Sequence, residues 1–216
     1  MNKTLKRIIV IAAIVILTPI IFIAGILAML GFFSRPEVTT DITKYEQIRS
    51  GPNVKEEYQE RLGLDESIWP NKITDNMEVK DYKMVYWNPF DNPFDPQYLG
   101  YLVVKYPDSE YGAEIKRLKE YKSSEYKGYY SVTGEEDYEL LAVNADPYYG
   151  FIYALGDDDN TIIYTEEVFC GFMDLEYEKY MPKEYFLDGF DAGVDNLDAV
   201  ERRKFTEEHD VDNTVN

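Results

Sequence analysis

From Ile8 to Phe33 the chain carries no charged residue over 26 consecutive positions, and no other feature constrains its architecture as strongly. About 20 apolar residues in a helix cross a typical hydrocarbon core, so this run is long enough to span a bilayer with some tilt. Pro19 would cost about 3 kcal/mol inside a soluble helix. A membrane span tolerates it as a kink, with Thr18 and neighbouring groups compensating. Lys3, Lys6 and Arg7 precede the run, and only Arg35 follows closely, beside Glu37 and Asp41. That basic excess puts the N-terminus in the cytoplasm and the remainder outside. A cleaved signal peptide would have an apolar region of about 7–15 residues ending in a small-x-small site. The run ends instead in Leu27-Ala-Met-Leu-Gly-Phe-Phe33, with no cysteine directly after it for lipoprotein processing. An uncleaved single-span anchor is the expectation.

Beyond the anchor the charge changes sign. With the three basic residues of Met1–Phe33 set aside, 19 basic side chains face 41 acidic ones in Ser34–Asn216, a formal charge of −22. Nucleic-acid binding rests on Lys and Arg neutralising phosphates, so nucleic acid is not an expected partner. An anionic lipid surface would repel the domain as well. Such acidity serves solubility and spacing from a negative envelope, or it attracts calcium or a cationic partner. Cys170 is the only cysteine, which rules out an intramolecular disulfide. It ends a strand-like stretch from Thr165 and reads as a small buried apolar residue rather than a reactive thiol.

The exterior divides by pattern. Residues 34–76 read as a juxtamembrane connector with two short helices. In the first, Thr40-Asp41 caps turns carrying Ile42, Tyr45 and Ile48; the second covers Lys55–Leu62. Residues 77–180 read as the main domain. Tyr82–Trp87 alternates as a strand does, and Asn88–Pro96 is a loop by its three prolines. Tyr98–Tyr106 is apolar on both faces, the mark of a central strand. Pro107 ends it, Asp108 or Ser109 can cap a helix, and Tyr111, Ile115 and Leu118 form that helix's apolar stripe. Glu114, Lys116, Arg117 and Lys119 then turn mostly to water. Further strands are expected at Tyr138–Val143, Phe151–Leu155 and Thr161–Phe169, joined by short turn-rich segments, with another possible at Tyr129–Val132. Two strands, one main helix and a strand meander give an α+β class: a single N-terminal transmembrane helix, then an antiparallel sheet domain with one main packed helix. Residues 181–216 form an acidic tail with one short helix around Leu197–Phe205.

Few chemistries remain open. His209 is the only histidine, which removes His-based triads and His-based zinc sites. The acidic turn Gly156–Asn160 and the loop Asp188–Asn196 lack the ligand spacing of a calcium loop, so no metal or other cofactor is expected. Carboxylate pairs such as Glu135-Glu136 or Glu166-Glu167 are expected by number alone among 41 acidic residues. The positive oddity is aromatic: 20 Tyr, 11 Phe and 2 Trp. Tyr82, Tyr86, Trp87, Tyr98 and Tyr101 are the candidate ligand-binding residues, with Tyr148 and Tyr149 as a further cluster. Tyrosine also fills strand positions without any binding role. Two functional classes are compatible with these residues. One is a non-enzymatic, membrane-tethered module that binds another envelope protein. The other is a carbohydrate- or cell-wall-binding module, with carboxylate-based glycosidase chemistry as its extension.

Overall fold

The computed structural model describes residues 7, 15–26, 35–49, 65–88, 96–124, 138–146, 150–168 and 175–187. It comprises two compact units, Met1–Pro36 and Glu37–Asn216. In the first, residues 15–26 form helix α1. The rest of the uncharged run, residues 8–14 and 27–33, lies outside the described residues. Among those described, no helix is long and apolar enough to cross a membrane.

The second unit is α+β, built on one six-stranded antiparallel sheet in the order β1-β2-β3-β6-β5-β4. Its strands are β1 (Glu37–Thr39), β2 (Glu78–Trp87), β3 (Gln97–Lys105), β4 (Glu139–Asp146), β5 (Gly150–Asp157) and β6 (Thr161–Val168). Between β1 and β2 lies a short helix, α2 (Tyr45–Ile48). The main helix, α3 (Asp108–Lys119), follows β3. It carries the chain from the middle of the sheet to the far edge, and β4, β5 and β6 then return by hairpins until β6 docks against β3. The expected central strand is central: every residue of β3 except Lys105 is buried. In β6 every residue is buried, charged ones included.

Strand pleating divides the interior into two layers. On one face Leu102, Val104, Ile152, Ile162 and Tyr164 pack with Leu118 of α3, and Tyr111 and Ile115 lie against the same cluster. The apolar stripe of the helix therefore meets the sheet as its spacing requires. Its cap differs from expectation. Pro107 occupies the N-cap position with no side-chain bond, and Asp108 is already helical. The Asp108 carboxylate is engaged elsewhere, accepting from Asn160 Nδ2 at 2.5 Å. Glu114 and Arg117 also depart from the wet face: Glu114 accepts from the Tyr164 hydroxyl at 2.6 Å, and Arg117 donates to the carbonyls of Ser67 and Ile68.

Of the stretch read as a connector, the described residues 37–49 and 65–76 belong to this unit. Glu37–Thr39 adds an edge strand on β2, and Tyr45, Ile48, Ile68 and Trp69 enter the first core layer. Asp41 caps its turn as expected, accepting from Thr43 N at 3.1 Å. The opposite face of the sheet is covered by residues 175–187, a strap of two 3-10 turns (Tyr177–Lys179 and Lys183–Tyr185) that buries Leu175, Tyr177, Met181 and Leu187 against Leu99, Tyr101, Phe151 and Tyr153. The start of the sequence-defined tail is thus part of the core. The helices expected at 55–62 and 197–205, the strand expected at 129–132, Tyr148, Tyr149, Cys170 and the loop 188–196 lie outside the described residues.

Candidate functional site

Strand β6 carries Glu166 and Glu167 side by side in the middle of the sheet, and both are fully buried. Adjacent strand residues point to opposite faces, so the two carboxyl groups diverge into separate layers. They cannot flank one glycosidic bond, which needs carboxyls facing each other about 5–9.5 Å apart across a substrate.

Glu166 enters the layer beneath α2 and is ion-paired there with the guanidinium of Arg49, the residue that ends that helix. Both side chains are essentially inaccessible. The guanidinium carbon of Arg49 lies 3.9 Å from the centroid of the Trp69 ring. Trp69 donates its indole N–H to the Thr165 carbonyl at 3.2 Å, and Tyr45 stacks on it at 6.3 Å. Burial works against the charge on Arg49, but the adjacent Glu166 carboxylate, with smaller contributions from Tyr45 and Glu66, outweighs it and holds the guanidinium pKa above its ordinary value. The pair is a charged anchor inside an aromatic layer.

Glu167 enters the other layer, beneath the strap. The hydroxyl of Tyr153 on β5 lies 2.6 Å from its Oε1 and 2.7 Å from the backbone carbonyl of Tyr185 in the strap. Burial pushes the Glu167 carboxyl up to about 8, with the bond to Tyr153 opposing the rise only in part. Burial likewise pushes the Tyr153 hydroxyl well up. Two more bonds hold the strap: Leu175 N donates to Gln97 Oε1 at 2.9 Å, and Lys83 Nζ donates to the Tyr180 carbonyl at 2.9 Å.

No protein-family model, characterised protein or solved structure matches the chain.

The five aromatic residues singled out from the sequence do not form one surface. Tyr82, Tyr86 and Tyr98 lie on the α3 face, whereas Trp87 and Tyr101 lie on the strap face. Only Tyr86 is more than marginally accessible; the other four are buried, Trp87 the least so at 9% exposed. Tyr82 meets Tyr45 edge-on at 6.0 Å, Tyr86 packs on Tyr98 at 5.2 Å, and Tyr101 donates to Asp81 at 3.0 Å. Their role in the structure is to fill the two core layers. The half-buried rings on the strap face are Tyr138, Tyr180, Tyr185 and Phe186; the centroids of Tyr138 and Tyr185 are 6.4 Å apart, with Tyr101 packed on Tyr185 at 5.2 Å.

The acidic turn between β5 and β6 is a hairpin turn. Asn160 adopts the left-handed conformation there (φ 54°), its carbonyl accepts from Tyr106 N, and Asp159 pairs with Lys105 at 2.5 Å. Among the described residues no group of three or more His, Cys, Asp or Glu side chains is placed to hold a metal ion. From the sequence, Glu166-Glu167 stands out only as one of the carboxylate pairs expected by number, and Arg49 does not stand out at all. The signal available was two adjacent carboxylates inside a run, Thr161 to Val168, whose flanking residues are those of a strand buried on both faces.

Proposed function

We propose that this chain is a single-pass membrane protein, its N-terminus in the cytoplasm, that holds its acidic α+β unit outside as a non-enzymatic module for binding another envelope protein. The observation that carries the anchoring is the exposure of α1. Val15, Ile16, Leu17, Ile20, Ile21, Phe22, Ile23 and Ile26 are each 43–68% exposed, so the helix is apolar on all sides. In Glu37–Asn216 the one large apolar side chain comparably exposed among the described residues is Val38. A helix apolar all round needs a protein core or a lipid phase to bury it. The uncharged run Ile8–Phe33 in which it lies has a length suited to a bilayer, and the basic N-terminal flank sets the direction.

A binding role for the outer unit is supported by its charge rather than by its edges. Ser123 and Ser124 occupy the free side of β4: the Val143 and Ala145 amides donate to their hydroxyls at 3.1 Å, and Ser124 N donates to Val143 O at 2.9 Å. The part of β2 beyond β1 carries Glu78, Lys80, Asp81 and Lys83. Both edges are thus poor templates for strand addition, which leaves the acidic surface as the means of contact and a basic face as its complement. Binding through such a surface weakens as salt screens it. A carbohydrate-binding reading is favoured by one feature, the half-buried Tyr138 and Tyr185 rings at the strap.

Protease treatment of sealed membrane vesicles carrying the full chain tests the topology. Right-side-out vesicles should lose the C-terminal unit to added protease, inverted vesicles should protect it, and alkaline carbonate should leave the chain in the pellet. Release by carbonate would overturn the anchor. In the native membrane, a cross-linked protein partner that dissociates with added salt supports the binding role. Salt-independent retention on insoluble cell-wall polysaccharide would favour the carbohydrate reading instead.

A further inference from the structure

The hydroxyl of Tyr153 stands between two oxygen atoms, Glu167 Oε1 at 2.6 Å and the Tyr185 carbonyl at 2.7 Å. A phenol has one proton to donate, and a carbonyl can only accept. With Glu167 ionised, two acceptors compete for that proton and one short contact sets lone pair against lone pair. Glu167 Oε2, which has no hydrogen-bond partner among the described residues, would then share a charge inside an apolar layer. With Glu167 protonated the contacts resolve into one chain: the acid donates to Tyr153 Oη, and Tyr153 donates onward to the strap carbonyl. We propose that Glu167 is held as a neutral acid whose proton latches the 175–187 strap over the sheet, so that losing the proton opens the strap and uncovers the apolar face beneath it.

The surroundings make Glu167 the group that decides this. On β6 its neighbour on the same face is Thr165, which does not ionise near neutrality. On β5 the facing titratable group is Tyr153. On β3 it is Tyr101, which is joined to Asp81 of β2 and lies 5.4 Å from Lys83 Nζ. Tyr138 stands at the start of β4. The strap itself contributes Tyr177, Tyr180 and Tyr185, while its Glu176, Glu178, Lys179, Lys183 and Glu184 are exposed. Burial pushes the hydroxyls of Tyr101 and Tyr153 upward and that of Tyr185 up to about 12, so these three stay neutral through the range in which Glu167, raised to about 8, gives up its proton. The inference does not depend on the membrane reading and holds in either compartment.

Hydrogen–deuterium exchange of the full chain in detergent micelles, read by mass spectrometry and corrected for the intrinsic pH dependence of exchange, tests the latch. Peptides covering 175–187 should be better protected at pH 6 than at pH 9, losing protection by up to roughly tenfold per pH unit as pH rises to about 8 and levelling off above it, while β3 and β6 keep theirs. Glu167→Gln supplies a neutral amide that can donate to Tyr153 and leaves the Lys83 and Gln97 contacts intact, so its strap should stay protected at pH 9. Unchanged strap protection in the wild type at pH 9, or equal loss in Glu167→Gln, would overturn the latch. Should that variant not fold, infrared spectra of the wild-type chain with isotope-labelled glutamate decide the protonation state. A protonated-carboxyl band at pH 6 that disappears by pH 9 supports the proposal, and its absence at pH 6 sinks it.

Discussion

Replacing Arg49 by methionine removes the partner of a carboxylate that has no water around it. Glu166 is 0% exposed and Arg49 3%, so the pair lies in the interior and is weakly screened. Removing one partner of a buried pair costs about 3–5 kcal/mol, because the remaining charge is left uncompensated. Loss of the guanidinium over Trp69 adds about 1–2 kcal/mol for a desolvated cation on a ring, and the methionine thioether on the same ring returns about as much. The expected cost is therefore close to that of the stranded charge. With a urea dependence of about 2 kcal/mol per molar, the midpoint should fall by roughly 2 M. The double variant Arg49→Met with Glu166→Leu removes both charges and keeps apolar volume, and such replacements are often near neutral. It should recover most of the loss, with a coupling energy of at least about 2 kcal/mol. Equilibrium unfolding of the full chain in detergent micelles, followed by tryptophan emission, measures these two variants together with the Glu166→Leu single variant that completes the cycle. Trp69 reports on this layer directly, because Arg49 lies on its ring. If Arg49→Met and the double variant unfold within about 0.5 kcal/mol of each other, the charge on Glu166 is not what Arg49 stabilises, and the account of this layer fails.

Leu118→Ala should cost about 2–5 kcal/mol by leaving a cavity under α3. Lys119→Ala, which breaks only an exposed pair with Glu139, should cost under about 0.5 kcal/mol in the same unfolding assay. Gly112 has open space where a Cβ would sit, so Gly112→Ala should stabilise α3 by about 0.5–1 kcal/mol. At Gly150 (φ +122°) a Cβ would lie 1.9 Å from the Glu167 carbonyl oxygen, so Gly150→Ala should destabilise the fold by more than about 2 kcal/mol in thermal unfolding. Because folding raises the Glu167 carboxyl from 4.5 to about 8, the folded state holds this proton after the unfolded state has lost it. Its contribution is complete below about pH 4.5 and declines as pH rises to about 8, by up to about 1.4 kcal/mol per unit. The stability of Glu167→Gln should lack that decline, and identical pH profiles for the two proteins would refute the sign.

Local pattern was enough to read the α+β class, strands β2 to β6, the helix after Pro107 and the turn at Gly156–Asn160. Each is encoded by residues within a few positions of one another: alternation in Tyr82–Trp87, apolar character on both faces of Tyr98–Val104, and a 3.6-residue stripe through Tyr111, Ile115 and Leu118. Asp41 was legible as a cap for the same reason, since its bond reaches only two residues along the chain. Strand β1 was not legible, because three residues hold too little alternation to register and become a strand only when β2 is alongside. The tyrosines misled because an amphipathic ring suits a core layer and a wet surface equally, and only the fold shows which face is covered. The two glutamates misled more deeply. A carboxylate in a strand reads as solvent-facing, since burying an unpaired charge is prohibitive. What makes Glu166 tolerable is Arg49, 117 positions earlier in the chain, and what makes Glu167 tolerable is a hydroxyl on β5 and a carbonyl in the strap. Periodicity carries no information across such separations. The sequence by itself determined strands β2 to β6, helix α3 and the acidic balance, whereas the covering of both sheet faces, and with it the environment of each buried acid, was decided by the tertiary structure.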